Sequence, residues 1–529
     1  MRAFSLPWLM TGGAVVAQAK MFHWPSPQMD WIDTVLYELP FLANVTENCA
    51  PRDNTTVAAQ WLRIAFHDSA THNVDDGTGG ADGSIIYELD RSENVGVGMN
   101  RSVGDFVGFG APFFGMADII AMGTVLAVAS CDGPTIPYRA GRVDATGPGP
   151  LGVPQPQEEL ATHMEQFRRA GFTQSEMIGL TACGHALGGV TKSDFPDIVK
   201  DDRDFVFFNN ETTKFDEGLV TQYLDGTTAN LLVVGPNTTT NSDGRIFSSD
   251  GNVTMQGLSS RDTFMQTCSD LIERMINTVP STVTLTDVLD PFDYKTGKAR
   301  LTVSNDTGNL VLGTTLRLLN STENPNRQVK IVWLDRRGSS CPPAGCTQAH
   351  TDATSVGNFF LEKSHRTTAL QYEWAIELNA TNSISKFWFE IDEQDGSEPT
   401  LVQNDDGEGY VIDQDDVLYD VTRSKLYFDS NQIPIGSDIV IAVRDSEVPN
   451  AKISLKGFNP FIVPFQTLDV DAVLDSRHPP TAGYTFYNVN FTGFFTNSFD
   501  IFNGDVEQQT FALAFEAKNV IFLPPSESS

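Results

Sequence analysis

Trp61-Leu-Arg63-Ile-Ala-Phe66-His67-Asp68, followed after a short polar turn by Gly79-Gly80-Ala-Asp82-Gly-Ser84, is the stretch that decides how this chain folds. Apolar residues at three- and four-residue spacing predict a helix over Val57–Asp68. Arg63 and His67 then lie one turn apart on the same face, where a cation and an imidazole overhang a common point. His67 could move a proton between atoms of a small polar molecule, while Arg63 stabilises the negative charge that builds as a bond breaks. Taken alone, such a pair is more often a solvated helix face or a satisfied core histidine. Asp68, Asp82 and Ser84, with backbone carbonyls near Gly80, add hard oxygen donors, and the glycines let them converge on calcium. A polar Gly/Asp turn is the plain alternative.

A second histidine stands far along the chain. Thr173-Gln-Ser-Glu176 has the form of a capping box and opens a predicted helix over Ser175–Gly188, which carries Cys183-Gly-His185-Ala-Leu-Gly-Gly. Small neighbours let a flat, bulky group approach His185 closely, as a haem-ligating histidine requires.

These motifs, in this order, closely resemble the plant, fungal and bacterial haem peroxidase superfamily, nearest its secreted fungal branch, over roughly residues 40–285. The resemblance implies haem b, with His185 as iron ligand and His67 as the acid/base that moves a proton across hydrogen peroxide. Arg63 would aid O–O cleavage. Asn94 would accept a hydrogen bond from His67 and fix its tautomer. Asp250, in Phe247-Ser-Ser-Asp250, would accept the remaining proton of His185. Phe66 and Phe208 would pack against the haem, and Arg142 would sit near a propionate. Asp68, Gly80, Asp82 and Ser84 would hold one calcium. Asn209, Glu211 and Asp216 align with ligands of a second, although Ala186 replaces a hydroxyl ligand there.

The departures narrow the chemistry. Phe66 stands where the intracellular branch has tryptophan. Leu180 replaces the surface tryptophan of lignin peroxidases. Thr56, Gln60 and Thr191 replace the carboxylates of manganese peroxidases, and manganese wants carboxylates. A generic one-electron oxidant of small phenolic or aromatic donors remains, with hydrogen peroxide as acceptor.

Outward from these motifs, Met1-Arg2, an apolar run to Val16 and Ala17-Gln-Ala19 read as a secretory signal peptide over residues 1–19, so the chain is expected to be extracellular. Sequons at Asn44, Asn54, Asn210, Asn237, Asn320, Asn379 and Asn490 fit a glycosylated product. With 529 residues and a formal charge of −33, the chain needs more than one core and should repel nucleic acid and anionic membranes. The resemblance joins Cys49 to Cys131. Cys341 and Cys346 flank a loop that a bridge could close, which leaves Cys183 with Cys268; a zinc site is the rival, without clustered ligands to support it.

Further helices are expected over Asp30–Leu42, Met116–Ser130, Glu158–Ala170 and Arg261–Asn277. After Pro280 the pattern changes to short strands: Lys298–Val303, Val311–Leu318, Val329–Leu334, Tyr372–Glu377, Lys386–Ile391, Lys425–Asp429, Asp438–Arg444 and Lys452–Phe458. The expected fold class is therefore a multidomain α+β chain. A mainly α-helical haem peroxidase fold (20–285) precedes an all-β region (286–529) of one or two sandwich-like domains. The β region is a candidate for polysaccharide, wall or partner contact. A second reading gives it the main function and makes the helical half an inactive scaffold. Trp374, Phe387 and Phe389 fit core positions better than a sugar platform.

Overall fold

A computed structural model describes residues 26–319, 324–350, 352–404 and 407–523. The expected signal peptide and the sequon at Asn320 lie outside them. The helices are α1 (Pro27–Asp33), α2 (Pro40–Thr46), α3 (Val57–Ser69), α4 (Val97–Phe106), α5 (Met116–Ser130), α6 (Leu160–Arg169), α7 (Gln174–Gly184), α8 (Gly218–Leu224), α9 (Leu231–Val234), α10 (Ser242–Phe247), α11 (Val253–Gly257), α12 (Arg261–Ile276) and α13 (Phe359–His365).

α5 is apolar on every side and every one of its residues is buried, so it forms the axis of the helical domain. α3 packs on it closely, because a side chain at Gly123 would meet Phe106 at 2.7 Å and Trp61 at 3.4 Å. The capping box of Thr173 and Glu176 is present at the start of α7. That helix stops at Gly184, short of the expected Gly188. His185 is its C-cap, and Gly189–Thr191 instead pairs as a strand with Phe205–Phe207. The expected continuous helix over Asp30–Leu42 is also broken. A π-helical turn, Thr34–Glu38, ends at Leu39, whose extended backbone is what a residue before proline adopts. Disulfides join Cys49–Cys131, Cys183–Cys268 and Cys341–Cys346.

The long strands begin at Tyr294, and the β half stacks its sheets around two apolar clusters. A four-stranded and a five-stranded sheet share the first cluster, which contains Leu312, Ile331, Trp374, Phe387 and Phe389. A six-stranded sheet centred on Pro434–Arg444 serves both clusters. Val440 and Ala442 face the first, while Ile439, Ile441 and Val443 face the second with Leu455 and Phe499. Two-residue alternation sends successive side chains to opposite faces, so an unbroken apolar run becomes a strand buried on both sides. The sheets are therefore tied through a common middle layer.

The β half is joined to the helical half by a buried ion cluster. Lys295 Nζ lies 2.9 Å from Asp33, 3.0 Å from Glu38 and 3.0 Å from Asp30, and Arg317 Nη1 lies 2.6 Å from Asp33 and 2.8 Å from Glu38. The Lys295 and Arg317 side chains are 2% and 1% exposed. Burial disfavours the charged form of Lys295, but the pull of Asp33, Glu38 and Asp30 outweighs it and raises the ammonium above its ordinary range. Around the cluster, Phe511 packs edge-on against Trp31 and Phe113. Lys295→Met would leave three carboxylates facing one guanidinium. We expect a loss of about 3–5 kcal/mol in urea unfolding; a change below about 1 kcal/mol would show that the cluster is not desolvated.

Candidate functional site

Thr56 opens α3 by accepting a hydrogen bond from Ala59 N, and the helix delivers Arg63, Phe66 and His67 to one wall of a cavity of about 470 Å³. The chain just beyond α7 delivers His185 to the same cavity, with Phe208, Leu232, Asp243 and Ile246. The cavity lies within the roughly 300–1,000 Å³ typical of cofactor and ligand sites. Two histidines separated by more than a hundred positions thus face one space.

Each imidazole is fixed through Nδ1. Asn94 Nδ2 donates to Glu88 O at 3.0 Å, which turns its Oδ1 toward His67 Nδ1 at 2.8 Å. His67 Nδ1 therefore carries the proton, and Nε2 presents a lone pair to the cavity. Burial, and then the charge of Arg63, push the His67 pKa down to about 3, against the opposing pull of the Asn94 hydrogen bond. His67 is thus a neutral base at ordinary pH. Burial also lowers Arg63 to about 10, partly offset by Asp194, so it stays cationic at neutral pH. Its Nη2 donates to Val95 O at 2.7 Å.

On the other wall His185 Nδ1 donates to Asp243 Oδ2 at 2.8 Å. The expected partner, Asp250, is elsewhere: its Oδ2 accepts Thr254 N at 2.9 Å and Thr254 Oγ1 at 2.6 Å in the first turn of α11. Both aspartates sit in Ser-Asp-Gly, so the local motif cannot separate them. The three- and four-residue spacing can. Ile246 and Phe247 follow Asp243 at that spacing and are buried, which turns Asp243 inward, whereas Val253 follows Asp250 and is 68% exposed. Asn230, Asp194 and Glu88 have no counterpart in the sequence motifs, since an isolated Asn, Asp or Glu carries no local signature.

Arg142 departs from its expected place as well. Its guanidinium is buried on Asp118 Oδ1 at 2.9 Å and on Ile276 O at 2.7 Å, joining the start of α5 to the end of α12, and it does not line the cavity. The free carbonyls at a helix C-terminus attract a cation there. Phe208 stacks on the His185 ring at 4.2 Å and 19°. Phe66 lines the cavity beside Phe167.

Asp68, near the end of α3, is buried beside Asp82 and Ser84 of the following turn. Asp68 accepts Gly83 N at 2.9 Å and Ile85 N at 3.1 Å, and Gly83, at φ +71°, lets the turn close. Gly80 O accepts Asp82 N. Burial and the neighbouring Asp82 hold the Asp68 carboxyl well above its usual range, and Ser84 Oγ is buried without a partner. Asn209 turns its amide to Ala186 O at 2.7 Å, Asp216 accepts Gly218 N at 2.9 Å, and Glu211 is exposed. Among the described residues no group of three or more His, Cys, Asp or Glu side chains is placed to hold a metal.

The residues fit an iron porphyrin. His185 has one ring nitrogen committed to a carboxylate and Nε2 left for iron, the arrangement that orients a ligating histidine. A Cβ at Gly184 would enter open space, so a flat group can approach the end of α7. His185 would hold the iron, with Phe208 and Leu232 beneath the ring and Phe66 opposite.

A family model described as peroxidase matches residues 43–256. A WSC domain-containing protein of Arthroderma benhamiae is 40% identical over 298 residues, 54% of this chain and 41% of that protein. A peroxisomal L-ascorbate peroxidase 5 of Arabidopsis thaliana is 31% identical over 35% of this chain and 62% of its own length. A mitochondrial cytochrome c peroxidase of Cryptococcus neoformans is 34% identical over 26% of this chain and 37% of its own. The chain therefore spans less than two thirds of each of these curated relatives.

The geometry makes a prediction about His67 that needs no turnover. Followed by NMR, its ring should show no titration from pH 8 down to about pH 4, because protonation awaits about pH 3. A midpoint near the ordinary histidine value of about 6.5 would contradict the buried, Asn94-bonded geometry.

Proposed function

We propose, for a chain whose helical domain belongs to the haem peroxidase superfamily, that it reduces hydrogen peroxide and draws electrons from small neutral aromatic donors such as phenols. The observation that carries this reading is one cavity faced by two differently held imidazoles, one on an amide and one on a carboxylate. Bound to His185, iron protoporphyrin would lend the two electrons that cleavage of the peroxide O–O bond consumes and would hold the resulting oxidising equivalents until two one-electron donors return them. The chain's own residues handle protons and charge. His67, neutral and with Nε2 free, takes the proton from one peroxide oxygen and returns it to the other, so that the O–O bond breaks toward water. Arg63 stabilises the negative charge on the departing oxygen. Asn94 holds His67 in the tautomer this needs, and Asp243 orients His185.

Charge at the cavity supports neutral donors. Asp53, Glu93, Asp194 and Asp243 line it, with Arg63 as the sole lysine or arginine side chain there among the described residues. An anion such as ascorbate would be repelled there. Among its described residues the β region gives no rival constellation: Trp374, Phe387 and Phe389 are buried in its first apolar cluster. Export is supported by three disulfides and by exposed sequon asparagines at Asn44, Asn54, Asn210, Asn379 and Asn490. Protein recovered from the medium with an N-terminus near Lys20 would agree, and protein retained inside the cell would not.

Purified protein supplied with haem should show an intense Soret band that moves on adding peroxide. His185→Ala should lose it. His67→Leu should keep the band and react with peroxide roughly 10²–10⁴ times more slowly, and Asp243→Asn should alter the spectrum where Asp250→Asn does not. A folded wild-type protein that takes up no haem contradicts the reading, as does a His67→Leu variant as fast as wild type. In the same assay a neutral phenol should outpace ascorbate, with the gap narrowing in salt; a preference for ascorbate would contradict the donor class.

Calcium between Asp68, Asp82 and Ser84 belongs to the same proposal, because a cation would relieve the repulsion of the two carboxylates and satisfy Ser84 Oγ. A chelator should lower the melting temperature of the wild type and leave Asp82→Ala unmoved. Equal curves with and without chelator count against it.

A further inference from the structure

We propose that Asn230 governs how much of the Asp243 carboxylate is available to His185, and so tunes the iron that His185 would hold; this rests on the peroxidase reading above. Asn230 is fully buried and forms the N-cap of α9, where its Oδ1 accepts Leu232 N at 2.8 Å. With its carbonyl committed to that backbone N–H, its amide nitrogen points the other way and donates to Asp243 Oδ2 at 2.7 Å. The opposite amide orientation would set oxygen against the carboxylate and nitrogen against an N–H, so the donor role of Asn230 is determined by its surroundings.

Oδ2 is also the oxygen that accepts from His185 Nδ1. Two strong donors thus share one carboxylate oxygen, while among the described residues Oδ1 receives only Ser242 Oγ at 3.3 Å. Each hydrogen bond to a charged acceptor disperses part of its negative charge. What Asn230 draws is withheld from the imidazole, and the second bond also stops the carboxylate from rotating. Asn230 is therefore a positioning residue with an electronic effect. Partners one bond removed from a metal ligand set that ligand's basicity, and through it the potential of the metal.

The test is the Fe(III)/Fe(II) midpoint potential and the ferrous iron–imidazole stretching frequency of the haem-loaded full chain, in wild type, Asn230→Leu and Asn230→Ser. Asn230→Leu removes the donor and keeps the branched shape of the side chain. Its carboxylate should bond His185 more strongly, lowering the potential and raising the stretching frequency. Asn230→Ser keeps a cap for α9 with a shorter side chain that draws back from Asp243, and should move both readouts in the same direction. If Asn230 only packs, the variants lose haem or broaden the stretching band with no downward shift in potential. That result, or values equal to wild type, overturns the proposal; should Asn230→Leu fail to fold, Asn230→Ser decides by the same criteria. A wild-type chain that shows no Soret band fails earlier and overturns the peroxidase reading itself.

Discussion

His67 and His185 face one cavity and are each held by Nδ1, and what holds the ring differs between the two walls. Asn94 offers His67 a neutral carbonyl oxygen, and Asp243 offers His185 a carboxylate. An amide fixes the tautomer while leaving the ring a modest base, whereas a carboxylate makes the ring a stronger donor to whatever Nε2 binds. On the proposed reading the same residue type would thus carry protons on one side and ligate a metal on the other. Both arrangements rest on backbone atoms: Glu88 O turns the amide of Asn94, and Leu232 N turns the amide of Asn230 that braces Asp243. The site depends on short polar links anchored in turns and helix starts, carried by an apolar frame around α5.

That frame is not closed by the helices alone. Phe360, Leu361, Ala369 and Phe511 from the β half belong to the same buried cluster as α3 and α5. The N-terminal segment with Asp30, Asp33 and Glu38 lies between the halves and is pinned by Lys295 and Arg317. Beyond that junction, the sheet around Pro434–Arg444 serves both β clusters, so a disturbance at either face reaches the other. The two halves are better described as sharing cores than as tethered.

Much of this was legible in residue order. The helix expected over Met116–Ser130 matches α5 end for end, and the expected strands, short runs rich in β-branched and aromatic residues between turn signals, match to within a few residues. Arg63, His67 and His185 stand in motifs whose spacing carries their geometry. The misses have a common cause. Asp243 and Asp250 share one tripeptide, and the choice depends on which helix face is buried. Arg142 shows no local sign that its partners lie near residue 276. α4 hides behind Gly98 and Gly104, which weaken a helical pattern. Local chemistry was readable where one segment contains it and opaque where the partner arrives from another part of the chain.

On the proposed reading His185 would bind iron, while Asn94 holds His67 by Nδ1 and leaves its Nε2 free toward the cavity for peroxide. Electron paramagnetic resonance of the haem-loaded ferric protein tests it most directly. The account predicts a high-spin signal, from iron with a single histidine ligand. A low-spin signal from two bound histidines, lost in His67→Leu, would contradict it.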